Sequence, residues 1–447
     1  MPVAIEFRKA VLGAGLALAA VACQSNSTST ETPGVGAAEA SGSTALTAGT
    51  WRGVLSAQGQ EIPFLFDVAQ DGGKPTVTLR NGEERLKLDE ISSAGDSTTI
   101  RLGVFDAALV VRADGADKLK GTWVKYDGKE PYRVPFAATK GEQQLFSLEG
   151  SKAPHSSFKI AGNWATTFQD AGGESYQAVG VFQQNKEMVS GTFLTSTGDY
   201  RYLDGIVKND TLRLSTFDGS HAFLFVAKLI SSAKFLPPNN PYGFEPSKMV
   251  GDFYSGKSGH ETWTAMLDPN AKLPDANALT GMKPGQKKLA FKFPSIYEGG
   301  SISPSDPKYK GKVVVVQVLG SWCPNCMDET NFLAPWYEKN KQRGVEIIGL
   351  GYERTTDQAV ATKKLLKMKE RMNIGYDIAV AGEANKDAAS KSLPQLQQVL
   401  AFPTTIFLDK KGEVRKIHTG YSGPGTGKYY EQEVAEFNKT IDQLLAE

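Results

Sequence analysis

From about residue 49 to residue 268, apolar and polar positions alternate in short runs such as Ile62 to Val68, Thr76 to Arg80, Ile100 to Val104 and Ala108 to Arg112, each broken by Gly, Asp or Asn. A period of two over runs this short predicts half-buried antiparallel strands. The pattern then recurs. Gly49-Thr50-Trp51 is matched by Gly162-Asn163-Trp164, and Leu88-Asp89-Glu90-Ile91 by Leu203-Asp204-Gly205-Ile206. Likewise the run from Ile100 to Asp106 is echoed from Leu212 to Asp218, and Gly121-Thr122-Trp123-Val124 by Gly251-Asp252-Phe253-Tyr254. Self-similarity of this kind marks an internal duplication, with one β-rich repeat at 49–150 and a second at 151–268. Two small barrels or sandwiches, or two halves of one larger sandwich, both satisfy the pattern.

After a connector at 269–281 the rhythm changes. Strands are expected at Leu289 to Phe293, Val313 to Leu319, Val345 to Tyr352, Tyr376 to Val380, Thr404 to Asp409 and Glu413 to Thr419. Helices are expected at Asp328 to Lys341, Asp357 to Met372, around Ala384 to Ser392 and at Tyr429 to Leu445. Strands alternating with helices imply a sheet covered on both faces, so residues 282–447 read as a separate α/β domain. The predicted fold class is therefore multidomain: a duplicated antiparallel β-rich N-terminal region, sandwich or barrel, followed by an α/β domain. A length of 447 residues agrees with about three domains.

The chain opens with Arg8 and Lys9, an apolar stretch from Ala10 to Ala22, and Cys23. A basic start, a short apolar run and small residues make an export signal over 1–22, too short to stay as a membrane span. Ala20-Val21-Ala22-Cys23 resembles a bacterial lipoprotein signal, which implies that Cys23 becomes the lipidated first residue, anchored to a membrane of the cell envelope and facing the periplasm. Residues 23–48, rich in Ser, Thr, Gly, Ala and Pro, read as a flexible tether. Losing 1–22 removes two of the 50 basic residues and one of the 49 acidic ones, leaving a formally neutral chain. Nothing in that balance calls for a nucleic-acid partner.

With Cys23 lipidated, the thiols left are Cys323 and Cys326, in Gly320-Ser321-Trp322-Cys323-Pro324-Asn325-Cys326, between an expected strand and an expected helix. A helix N-terminus stabilises a thiolate. Two cysteines at this spacing can also close a disulfide across the first helical turn, so the motif predicts redox chemistry without a cofactor. Cys323, nearer the helix start, reads as the nucleophile, and Cys326, one turn deeper, as the resolving thiol. A zinc site would need two further ligands, and the histidines at 155, 221, 260 and 418 have no finger-like spacing. The stretch Gly423 to Lys428 fails as a phosphate loop, because Ser422 and Tyr429 stand where Gly and Ser or Thr are required. Lys363, Lys364, Lys367 and Lys369 read as one solvated helix face.

Together with Phe402-Pro403-Thr404-Thr405 before the strand Ile406-Phe407-Leu408, the α/β region resembles the thioredoxin superfamily. Within it, residues 282–447 are most similar to the TlpA/ResA-like thiol-disulfide oxidoreductases, on the strength of Trp322-Cys323-Pro324-Asn325-Cys326, Glu329 and the extension from Lys288 to Lys312. The resemblance implies a cis-proline loop at Pro403, flanked by Phe402 and Thr404, that receives a substrate polypeptide, with Trp322 on the apolar docking surface. It also implies a Glu329 that accepts the Cys326 proton, a role suggested too by Gln317 standing where a buried acid is common six residues before the first cysteine. A peroxiredoxin reading fails, since Gly320 stands where its threonine should be. Implied partners are disulfide-containing exported proteins, such as apocytochromes or mis-oxidised envelope proteins, and an inner-membrane thiol donor. Two alternatives stay open: the same couple acting as a disulfide donor, and β-repeats that bind a ligand or partner with the redox domain as accessory.

Overall fold

The computed structural model describes residues 46–126, 128, 130–149, 158–230 and 247–447. The expected signal at 1–22, Cys23, the tether up to residue 45 and His155 lie outside the described residues. Among the described residues, no helix is long and apolar enough to cross a membrane.

The first repeat folds into β1 (Gly49–Ala57), β2 (Gln60–Asp71), β3 (Lys74–Asn81), β4 (Glu84–Leu88), β5 (Ile91–Ala94), β6 (Ser97–Arg101), β7 (Ala107–Ala113), β8 (Lys118–Lys125) and β9 (Tyr132–Lys140). Sequential strands are neighbours and β9 returns to pair with β1, giving a curled sheet that stays open between β4 and β5. The second repeat forms β10 (Gly162–Asp170), β11 (Ser175–Asn185), β12 (Met188–Thr195), β13 (Gly198–Asp199), β14 (Leu203–Lys208), β15 (Thr211–Phe217), β16 (Ala222–Ile230), β17 (Lys248–Ser255) and β18 (Gly259–Leu267). Here β10 pairs with β11 and β18 while β11 also pairs with β12, which closes the sheet into a barrel. Two barrel-like sheets, not two halves of one sandwich, therefore satisfy the duplicated pattern. The kinship survives in detail: Trp51 Nε1 donates to the Thr47 carbonyl at 3.0 Å and Trp164 Nε1 to the Ile160 carbonyl at 2.9 Å, each four residues upstream.

The barrels interlock. Along β15 and β16, Leu212, Leu214, Phe223 and Phe225 fill their own barrel, while the residues of opposite parity, Phe217, Ala222 and Leu224, complete the core of the first. Phe217 lies 4.4 Å from Phe64, ring centre to ring centre, and Ser215 Oγ donates to the Pro63 carbonyl at 2.7 Å. Burying a side chain such as Phe217 is worth about 1.5–3 kcal/mol. This explains why β16 reads as an almost unbroken apolar run, since both of its faces are buried.

In the C-terminal region, β19 (Phe293–Pro294) and β20 (Ser301–Ile302) make a small hairpin ahead of a five-stranded sheet. That sheet has the order β23 (Asp377–Glu383), β22 (Val345–Glu353), β21 (Val313–Leu319), β24 (Thr404–Leu408), β25 (Val414–Thr419), with the first three parallel and the last two antiparallel. The helices are α1 (Pro324–Asn340), α2 (Gln358–Arg371), α3 (Lys386–Ser392) and α4 (Lys428–Ala446). The strand expected at Leu289 to Phe293 is not formed. Leu289 and Phe291 are buried against the sheet face that carries Val316 and Val318, so their alternation reflects burial without a ladder, and Pro294 has no N–H to extend one.

The expected solvated lysine face is also corrected. Lys364 approaches Asp106 at 3.2 Å, Lys367 approaches Glu90 at 3.3 Å and Arg371 approaches Asp89 at 2.9 Å, so α2 lies against acidic turns of the first barrel. Pairs this exposed contribute about 0–1 kcal/mol each and set orientation more than stability.

Candidate active site

β21 is buried along its whole length and ends at Leu319, delivering the chain to the start of α1. Cys323 is the N-cap of that helix and Pro324 occupies its first turn, where a missing N–H costs nothing. The Cys323 Sγ accepts the Cys326 N–H at 3.3 Å, as a capping oxygen would. Neither cysteine is in a disulfide; Cys323 is 5% exposed and Cys326 fully buried. Burial, then the neighbouring Cys323 and Glu329, pushes the Cys326 thiol well above its ordinary range. At neutral pH the Cys326 sulfur is therefore held as a thiol.

The peptide bond between Phe402 and Pro403 is cis, and the Phe402 carbonyl accepts from Cys323 Sγ at 3.3 Å. Thr404 is fully buried, its Oγ1 donating to the Ala401 carbonyl at 2.9 Å, and so shapes the loop from behind. Trp322 is half-buried: its Nε1 donates to the Tyr352 carbonyl at 2.8 Å, its ring meets Phe402 edge-on at 5.5 Å, and the Arg354 guanidinium lies 4.4 Å from the ring centre.

Glu329 is no solvated helix residue. It is 3% exposed and accepts from Gln317 Nε2 at 2.7 Å and from Thr405 Oγ1. Burial raises its carboxyl to about 7, against the pull of those two donors and of His418. A carboxyl of this kind, one helical turn beyond Cys326, is tuned to exchange a proton near neutrality. Gln317 and Thr405 are register partners on β21 and β24. That pairing across the strands was the signal that would have added Thr405 to the sequence-derived site. Sequence reasoning also missed Glu353, buried, whose oxygens accept from the Ser321 N–H at 2.8 Å and Ser321 Oγ at 2.7 Å and fix the turn before the cysteines.

The largest omission concerns the barrels, which reach over this site. The Asn325 side chain donates to the Asp199 carbonyl at 3.1 Å, Ser220 Oγ to the Trp322 carbonyl at 3.1 Å, and Arg201 Nη1 to the Pro324 carbonyl at 3.0 Å. Val104 and Phe105, in the β6–β7 turn, pack against the apolar cluster that contains Cys323 and Cys326. Close approach depends on glycine. A Cβ on Gly198 (φ +139°) would stand 2.8 Å from the Asn325 amide, and one on Gly420 (φ +80°) 2.9 Å from the Gly198 nitrogen. Arg201 is the buried hub. Its guanidinium meets Glu84 of the first barrel, Asp218 of the second at 3.9 Å and Asp328 of α1 at 3.2 Å. One cation cannot balance so many carboxylates, and burial, with Asp199, Glu84 and Asp218 adding to it against Arg201, lifts Asp328 to about 8. Asp218 goes the other way: burial raises it, but His221 and Arg201 outweigh that and bring it to about 2.

A parallel-antiparallel sheet with a dithiol capping its first long helix beside a cis-proline loop defines a thioredoxin-like redox domain. In agreement, residues 269–434 match the Redoxin family model, so the C-terminal region is a Redoxin domain. The thiol-disulfide oxidoreductase ResA of Bacillus thuringiensis subsp. konkukian is 31% identical over 117 residues, covering 26% of this chain and 59% of that protein. The thiol:disulfide interchange protein DsbE of Escherichia coli K12 is 23% identical over 175 residues, 38% of this chain and 80% of that one. The crystal structure of a putative DsbE from Chlorobium tepidum aligns with a TM-score of 0.26 at 20% identity, covering 35% of this chain and 98% of that one. The chain thus spans 59% of the length of the first of these relatives.

Proposed function

We propose that the protein is a thiol-disulfide oxidoreductase of the cell envelope, lipid-anchored through Cys23, that reduces disulfides of exported proteins and is recharged by an inner-membrane thiol donor. The observation that carries this reading is the Cys323–Cys326 dithiol capping α1 with buried Glu329 one turn on. Cys323 thiolate attacks a substrate disulfide and the first substrate sulfur leaves as a thiol. Cys326 then gives its proton to Glu329 and attacks Cys323 Sγ, which closes the protein disulfide and releases the second substrate thiol. Because barrel segments are hydrogen-bonded to Trp322, Pro324 and Asn325 on either side of a Cys323 that is 5% exposed, a protein disulfide can line up with its sulfur only when those segments lift away. In this reading the barrels serve access to the dithiol. The interior of the second is filled by Trp164, Phe168, Phe193, Phe225 and Trp263, which supports a packing role over an enclosed ligand site.

The test is the equilibrium of the Cys323/Cys326 couple with glutathione, together with turnover of a protein disulfide such as that of insulin. A strongly reducing couple with turnover supports the proposal, and a strongly oxidising one replaces the reductase with a disulfide donor.

A further inference from the structure

We propose that His418, Glu433 and Tyr421 carry protons between Glu329 and solvent, through a cavity that holds one water, each time Cys326 is deprotonated or reprotonated. The inference rests on Glu329 serving as the base for Cys326, as proposed above. A base buried this deeply, held by Gln317 and Thr405 and roofed by the sheet, cannot return its proton to bulk water directly, so repeated turnover needs an exit.

The structure supplies one on the side of Glu329 away from the dithiol. A cavity of about 10 Å³ is lined by Glu329, Thr405, Tyr421, His418 and Glu433 among others, which is the room needed for a single water. The Tyr421 hydroxyl is buried and has no hydrogen-bond partner among the described residues, so a water in this cavity would satisfy it. Beyond lies the His418–Glu433 pair, Nε2 to Oε1 at 2.9 Å, with Nδ1 at 3.0 Å from the Asn277 side-chain oxygen. The two ring nitrogens of His418 thus face Asn277 on one side and the Glu433 carboxylate on the other, so the imidazole can take up a proton at one nitrogen and give one up at the other. His418, Tyr421 and Glu433 also line a second pocket of about 340 Å³, between β12, the 271–276 connector and α4. Its rim includes the exposed Lys272, Pro274 and Gln432, so it opens to solvent. The route therefore runs from Glu329 to water and Tyr421, then to His418 and Glu433, then out.

Other titratable groups facing this path are Cys326 and Tyr376 at the Glu329 end, Asp328 and Tyr430 beside Tyr421, and Lys416, Glu436, Tyr429 and Lys272 at the outer end; Lys416 is engaged by Glu436 at 2.9 Å. Of these, Glu436 also lines both the small cavity and the larger pocket, but it is engaged by Lys416, and none presents an unpartnered buried hydroxyl to the small cavity as Tyr421 does.

The experiment uses the full chain and 5,5′-dithiobis(2-nitrobenzoate). Cys323 thiolate displaces one thionitrobenzoate and holds the other as a mixed disulfide. Cys326 then displaces the second, and each release is read by absorbance. His418→Gln and Tyr421→Phe should slow the second release about tenfold near neutrality and change its pH profile, with imidazole in the buffer restoring the His418→Gln rate. Glu433→Gln, which keeps a hydrogen-bonding side chain, should act in the same direction. Wild-type rates and profiles in these variants overturn the proposal, as does a slower release with an unaltered profile and no response to imidazole. A wild-type protein that makes no second release overturns the dithiol mechanism itself, a result distinct from failure of the relay.

Discussion

The barrel cover makes a sharp prediction at Arg201. Replacing Arg201 with Met keeps much of the side-chain volume but removes the cation that joins Glu84, Asp218 and Asp328 and the donor to the Pro324 carbonyl. The Arg201 side chain is 7% exposed and those of Glu84 and Asp218 are 10% and 3% exposed, so Glu84 loses its cation and Asp218 keeps only its contact with His221, both largely shut off from water, while Asp328 stays neutral below about pH 8. Breaking a buried pair by removing one partner costs about 3–5 kcal/mol. If that cost falls on the closed arrangement of barrels over dithiol, it raises the open population by about two to three and a half orders of magnitude, at 1.4 kcal/mol per factor of ten. The assay is the rate of iodoacetamide modification at Cys323, read by peptide mass, alongside thermal unfolding. Cys323 should be modified about 100-fold faster in the variant under conditions where the fold persists. A charge-neutral companion, Gly198→Ala, wedges a Cβ toward the Asn325 amide and should raise the same rate without altering the ion pairs. Modification rates in both variants within twofold of wild type would show that the barrels do not govern access, and the cover would then be incidental to function.

Three further outcomes follow from the site. Cys326→Ser should accumulate mixed disulfides with substrate proteins while Cys323→Ser should not; equal trapping by both would reverse the order of attack. Glu329→Gln should slow resolution by Cys326 by about 10- to 100-fold while changing the Cys323 attack far less, and an unchanged pH profile of resolution would remove Glu329 from proton transfer. Asp328 rises from 3.8 to about 8 and Glu329 from 4.5 to about 7 on folding, so between roughly pH 4 and 8 the folded protein holds protons that the unfolded chain releases. Their contribution to stability is complete below the unfolded values and is lost as pH rises through the folded ones. Urea denaturation should accordingly show stability falling from pH 5 to pH 8.5 and a shallower fall in Asp328→Asn; stability that rises across this window would contradict the assigned shifts.

How much of this was legible beforehand depended on the range of the interaction concerned. The dithiol, Pro403 and the α/β order were readable because each rests on local spacing: a cysteine pair within one turn, a proline opening a strand, and periodicities that switch from two to about three and a half. The duplication was readable for the same reason, since Trp51 and Trp164 repeat a local bond to a carbonyl four residues back. Leu289 to Phe293 misled because alternation reports burial, and burial needs no ladder. The lysines of α2 misled because their acidic partners Asp106 and Glu90 stand more than 250 residues upstream.

The cover over the dithiol belongs to that second kind. Asp199 in the short β13 and Arg201, Asp218 and Ser220 in turns belong to one barrel, Glu84 at the start of β4 and Phe105 in a turn to the other, and no local pattern marks them out. Folding gives them a common target. Phe105 and Asp106 follow β6 as Phe217 and Asp218 end and follow β15, the same place in each repeat, and both turns face the C-terminal domain. A duplication that brings its equivalent turns to one redox motif, holds them with a buried cation and relies on glycine for close approach has the parts of a gate. Opening it separates Arg201 from Asp328, whose carboxyl is neutral below about pH 8. The closed state is therefore favoured most where Asp328 stays protonated and loses ground as it ionises beside Asp199, Glu84 and Asp218. Cys323 modification should accordingly accelerate with pH beyond what thiol ionisation alone produces in wild type, and Asp328→Asn should remove that excess; equal pH dependence in the two proteins would uncouple Asp328 from access to the dithiol.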